Sequence, residues 1–99
     1  MPLYISEYHR SGIALNGQTL AAGEEPSIAT QKITISGASA QSAAFNANTK
    51  FIRVHTSEIC SITFGSNPTA TVAHARLVAG QTEYFSVFAG QKVAVITNT

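Results

Sequence analysis

From Phe51 onward the chain is a run of short apolar stretches cut apart by Gly, Pro, Ser and Asn. Stretches that short suit strands, because an isolated helix needs three or more turns of sustained periodicity to hold. Phe51-Ile52-Arg53-Val54-His55 and Ile59-Cys60-Ser61-Ile62-Thr63-Phe64 flank Thr56-Ser57-Glu58, and the turn Gly65-Ser66-Asn67-Pro68 follows. A strand is expected near Val72 to Leu77, before the break Ala79-Gly80. Another runs from Tyr84 to Phe88, before Ala89-Gly90, and Lys92-Val93-Ala94-Val95-Ile96 closes the series. That last run is apolar on both faces, so it predicts a central strand or one covered by a neighbouring subunit.

The first half is less regular. Lys32-Ile33-Thr34-Ile35-Ser36 alternates apolar with polar, which places Ile33 and Ile35 on an inward face. Asn16-Gly17, between Ile13-Ala14-Leu15 and Gln18-Thr19-Leu20, predicts a hairpin through a type I′ turn. Gly23-Glu24-Glu25-Pro26 reads as a loop. Residues 37–48 hold one large apolar side chain, Phe45, and are compatible with a short edge strand, a loop pinned by Phe45, or a short Ala-rich helix. Residues 1–8 carry Leu3, Tyr4, Ile5 and Tyr8, enough apolar surface for an edge strand or an arm reaching another subunit. The expectation is a single domain over residues 1–99: an all-β, antiparallel β-sandwich or jelly-roll-like barrel of about eight or nine short strands.

Composition narrows the function classes. Charged residues are 11% of the chain, against about 25% in an average soluble domain. A surface built instead from Ser, Thr, Ala, Asn and Gln is cheap to desolvate, which suits burial against other copies or a larger assembly. Net charge is +1, and Arg10, Lys32, Lys50, Arg53, Arg76 and Lys92 are scattered, which argues against a nucleic-acid partner. No apolar run is long enough to span a membrane, and no secretion signal is visible, so synthesis in a cytoplasm is expected. Cys60 is the single cysteine and excludes an internal disulfide.

The residues that could carry chemistry do not assemble into a known pattern. His9, His55, His74 and Cys60 are the candidate zinc ligands, and no pair has metal-ligand spacing. Cys60 sits among Ile59, Ile62 and Phe64, the setting of an inert core thiol. Carboxylate pairs would have to come from Glu7, Glu24, Glu25, Glu58 and Glu83, since the chain has no Asp, and solvated surface glutamates are the ordinary reading. There is neither a G-x-S-x-G elbow nor a phosphate loop. The expectation is a non-enzymatic protein with no catalytic residue, cofactor or metal. Its aromatics, Tyr4, Tyr8, Phe45, Phe51, Phe64, Tyr84, Phe85 and Phe88, are assigned chiefly to the core, with one of Phe85 and Phe88 exposed or at an interface.

Several segments in the second half resemble small structural proteins of tailed bacteriophages. They are Phe51-Ile52-Arg53-Val54, Cys60-Ser61-Ile62-Thr63-Phe64-Gly65, Asn67-Pro68-Thr69-Ala70-Thr71, Leu77-Val78-Ala79-Gly80, Glu83-Tyr84-Phe85 and Gly90-Gln91-Lys92-Val93-Ala94-Val95-Ile96. The resemblance implies a virion component, a capsid cement or head-decoration protein on the capsid exterior, made in the host bacterial cytoplasm. Its partners would be itself, as a closed homo-oligomer such as a trimer, and a major capsid protein. Leu3, Tyr4, Ile5, Tyr8 and Phe88 are the candidate interface residues. The alternative is a phage-borne host-surface or glycan-binding β-sandwich module, which an exposed aromatic cluster beside polar side chains would favour.

Overall fold

The computed structural model describes residues 2–9, 11–13, 19–23 and 26–99. Among them there is no helix, and the short-helix reading of residues 37–48 is set aside. Two four-stranded antiparallel sheets pack face to face as a β-sandwich rather than closing into a barrel. The first sheet has the order β4-β1-β6-β9, with β1 Pro2–Tyr8, β4 Ala29–Thr34, β6 Phe51–Thr56 and β9 Thr82–Ser86. The second has the order β5-β10-β7-β8, with β5 Ala40–Gln41, β7 Cys60–Gly65, β8 Ala75–Leu77 and β10 Lys92–Thr97. A separate pair, β2 Ser11–Ile13 and β3 Thr19–Gly23, lies where the hairpin is expected. Its register sets Ile13 opposite Thr19, one residue off the Leu20 that a two-residue turn requires, and the Asn16-Gly17 turn lies outside the described residues. So do Glu24 and Glu25.

Period-2 alternation fills the space between the sheets. Leu3, Ile5, Ile33, Ile52 and Val54 from the first sheet meet Cys60, Ile62, Leu77, Val93 and Val95 from the second. Ile33 and Ile35 are buried as expected. Phe64 and Phe85, one from each inner face, pack at 5.0 Å between ring centroids. Phe45 is buried against the core and secures a segment whose only strand is the two-residue edge strand β5.

Residues 2–8 correct the expectation of an edge strand or inter-subunit arm. β1 is interior to its sheet, paired antiparallel with both β4 and β6. Leu3 and Ile5 are wholly within the chain's own core and Tyr8 is also buried, so none of these three is available as an interface. The reason is nonlocal: β6, more than forty residues away, supplies the second ladder that an isolated reading of residues 1–8 lacks.

The last strand needs no neighbouring subunit. β10 is central, and Val93, Ala94 and Val95 are all buried. Val93 and Val95 face the core, while the outward Ala94 lies between its register partners Gln41 and Thr63. Gln41 Nε2 donates to Asn67 Oδ1 at 2.9 Å and to the Pro68 carbonyl at 2.7 Å, tying the loop after β7 to this face. Asn98 Nδ2 donates to Ser61 Oγ at 2.7 Å and to the Val72 carbonyl at 3.2 Å, closing it from the C-terminal side. The outer face of the second sheet is therefore covered by the chain itself.

The crossovers at the two ends of β9 are twins. Val78-Ala79-Gly80-Gln81 and Phe88-Ala89-Gly90-Gln91 each return the last N–H to the first carbonyl, at 3.1 and 3.2 Å. Both glycines have φ of +81°, the left-handed value that position i+2 of a type II turn demands. Both glutamine side chains reach back to accept the N–H of the first residue, at 2.9 and 3.0 Å. The clipped turns leave Val78 and Phe88 exposed, Phe88 at 77%. Phe88 thus takes the exposed role expected of one of the pair, and Phe85 the packed one.

Candidate functional site

Among the described residues, none covers the outer face of the first sheet around Tyr4 and Tyr84 in this way. Alternation sends Leu3, Ile5 and Glu7 inward and Tyr4, Ser6 and Tyr8 outward from β1, and register continues the outward set across the sheet. Tyr4 stands opposite Lys32 and His55, Ser6 opposite Thr30 and Arg53, and Tyr8 opposite Phe51. On the far side Arg53 stands opposite Tyr84 and His55 opposite Thr82. Tyr4, Phe51 and Tyr84 therefore share the outer face with the buried Tyr8 at its end, which corrects the assignment of those three to the core.

The rings are organised around Arg53. Tyr8 and Phe51 stack at 5.3 Å with 19° between planes, and Phe51 meets Tyr84 at 6.5 Å. Tyr4 meets the His55 ring at 6.4 Å, and His55 Nδ1 lies 2.8 Å from Thr82 Oγ1, which fixes the imidazole. Tyr4 and Tyr84 are 42% and 50% exposed. Arg53 is half-buried between the two ring groups, and among the described residues its guanidinium has no hydrogen-bond or ion-pair partner. Lys32 is the other permanent charge among the described residues on this face, and no described carboxylate shares it. Of the candidate interface residues only Tyr4 lies exposed here, while Phe88 is exposed at its turn.

The groups considered for chemistry are spread apart. His9 Nδ1 is 2.8 Å from the Asn48 carbonyl, and His74 Nδ1 accepts the Thr71 N–H at 2.9 Å. Among the described residues no three His, Cys, Asp or Glu side chains come together. A cavity of about 300 Å³ beside Phe88, lined also by Thr49, Lys50 and Ser86, gathers no convergent set of acids or bases.

Cys60 lies in the core, and burial pushes its thiol pKa up. A hydrogen bond to Thr56 Oγ1 opposes that shift, and the nearby Glu58 charge adds to it. The reactive thiolate is thus disfavoured as well as shielded. Native protein should react with a thiol reagent at least roughly a hundredfold more slowly than in denaturant, because exposing a core residue costs several kcal/mol of opening free energy. Timed labelling followed by intact mass measurement checks this, and equal rates would place Cys60 at the surface.

Sequence reasoning missed Glu7, which is buried in β1 on the core side. Its Oε1 accepts the Asn46 N–H and the Thr49 hydroxyl, both at 2.8 Å, and its Oε2 accepts Gln31 Nε2 at 3.0 Å. Gln31 Oε1 in turn accepts the Ala43 N–H at 2.8 Å. This network ties residues 43–49 to the first sheet. The sequence signal was a carboxylate at an inward position of an alternating strand, legible only once the strand's faces are assigned.

No protein-family model, no curated protein and no solved structure matches this chain.

Proposed function

We propose that the chain is a non-enzymatic structural protein of a bacteriophage virion, decorating or cementing the capsid by docking on major capsid protein subunits through the outer face of its first sheet. The observation that carries the docking role is a face on which Tyr4 and Tyr84 are exposed beside half-buried Phe51 and Arg53 with no covering segment among the described residues, on a molecule whose other sheet is covered by its own loop and C-terminal residues. Protein interface centres are enriched in Tyr, Phe and Arg and depleted in Lys, Glu and Asp, and this face has that composition. The phage assignment rests on the resemblance of the second half to small virion proteins. Self-association into a trimer belongs to the same reading, with Val78 and Phe88 as its exposed apolar contacts in place of Leu3 and Ile5.

The exposed rings also favour a second reading, a glycan-binding module on a fibre. Against it, no described amide or carboxylate side chain lies among them to pair with sugar hydroxyls. Proteomics and electron microscopy of purified virions separate the two. The protein should be present in many copies on the head, and particles lacking it should release their genome at a lower temperature. Absence from virions removes both readings, and location on a fibre removes the cement reading alone.

A further inference from the structure

Resting on the docking reading of this face, we infer that the partner surface it takes is acidic: a protein segment that presents a carboxylate to Arg53 and apolar or aromatic side chains to Tyr4, Phe51 and Tyr84. The argument is charge complementarity. Every permanent charge described on the face is positive, Lys32 at the β4 side and Arg53 at the centre, and no described carboxylate there neutralises either. Glu7, on the same strand as Tyr4, points to the opposite side of the sheet and spends both oxygens on Asn46, Thr49 and Gln31. Glu83 is likewise inward of the row and accepts from Gln81 Nε2 at 2.9 Å.

Arg53 is the group that decides the chemistry. Arg53 is half-buried on the strand between Phe51 and His55 and opposite Tyr84, and the planar fork of donors of its guanidinium matches a carboxylate in a two-point contact. Covering the face with a neutral surface would strand that charge, whereas a carboxylate converts the same burial into paired hydrogen bonds. Two other polyanions fit less well. A nucleic-acid strand draws its affinity from several phosphate contacts, and the described residues of this face include two permanent cations on a chain of net charge +1. An acidic sugar would need amide or carboxylate groups for its hydroxyls, which the described face lacks.

The test is an NMR titration of the purified full chain with four probes. They are a short peptide of alternating glutamate and tyrosine, the same peptide with glutamine for every glutamate, a short oligothymidylate, and a uronic-acid oligosaccharide. The glutamate peptide should shift the amides of Tyr4, Arg53, His55 and Tyr84, and its affinity should fall as salt rises. Arg53→Gln should weaken it about tenfold or more, with Arg53→Lys in between because it keeps the charge and loses the fork. Both variants should melt within a few degrees of the parent, since Arg53 makes no described hydrogen bond or ion pair through its side chain. Equal binding of the glutamine peptide, tighter binding of the oligonucleotide or the sugar, an unchanged affinity in Arg53→Gln, or no shift on this face would each overturn the inference. None of these outcomes depends on where the protein sits in a virion, so the capsid reading stands or falls separately on the virion measurements.

Discussion

Ile5→Glu should fail to fold, and Val95→Lys should fail with it. Both side chains lie within the single core cluster, Ile5 at 1% exposure and Val95 at 0%. Removing a buried Ile or Val costs about 1–5 kcal/mol before the new charge is counted. An unpaired buried charge adds several more, against a total stability of about 5–15 kcal/mol for a domain of ordinary robustness. Reading Ile5 as an interface residue leads to a different outcome, a folded subunit that no longer associates, and β1's interior position removes that outcome. Tyr4→Glu is the matched control. It sits next along the same strand on the solvent face and should shift the melting temperature by only a few degrees. Circular dichroism melts of the three variants decide the matter: a folded, cooperative Ile5→Glu would mean that β1 does not pack where it is placed here.

Glu7→Leu should destabilise the protein by about 3 kcal/mol, since it leaves the donors of Thr49, Asn46 and Gln31 without their acceptor, each such loss costing about 1–3 kcal/mol when water cannot replace it. For a domain of this length that is roughly 12–24 °C in melting temperature. Glu7→Gln should cost about half as much. Its amide oxygen can still accept from Asn46 and Thr49, but its NH₂ group then faces the Gln31 NH₂ group. Gln31 cannot turn to accommodate it without releasing the Ala43 N–H. The lesion should be local before it is global. Hydrogen exchange should accelerate first at Ala43, Asn46 and Thr49, while Val54 and Val93 in the central strands keep their protection. Uniform acceleration, or a Glu7→Leu variant as stable as the parent, would show that the network does not secure this segment.

The strands of the second half were legible in number because each carries its own signal, but the two expected at Val72 to Leu77 and Tyr84 to Phe88 run instead over Ala75–Leu77 and Thr82–Ser86. β6 and β7 alternate or run apolar within six residues; the polar Ser57-Glu58 separates them, and Gly65, Asn67 and Pro68 mark where β7 stops. Gly80 and Gly90 were legible as breaks, but their twin clips were not. Each depends on a glutamine whose side chain reaches back three residues, a contact that composition does not announce. The all-β antiparallel class followed from strand number and spacing, while the choice of an open sandwich over a jelly-roll-like barrel came from the sheet pairing.

Local pattern determined which residues alternate together; only the tertiary structure decided which of the two faces met the core. In β1 the inward set is Leu3, Ile5 and Glu7 and the outward set is Tyr4, Ser6 and Tyr8, and each set mixes apolar with polar residues. Hydrophobicity alone cannot rank such faces. The ranking came from β4 and β6 on either side, whose inward Ile33, Ile52 and Val54 already commit the sheet's orientation. Once that orientation is imposed, Glu7 must find buried donors, and three aromatic side chains and Arg53 are left together facing water beside Tyr8. Period-2 geometry is a property of the chain, but the choice between its two solutions belongs to partners far away in sequence, because a strand buries whichever side its neighbours have closed.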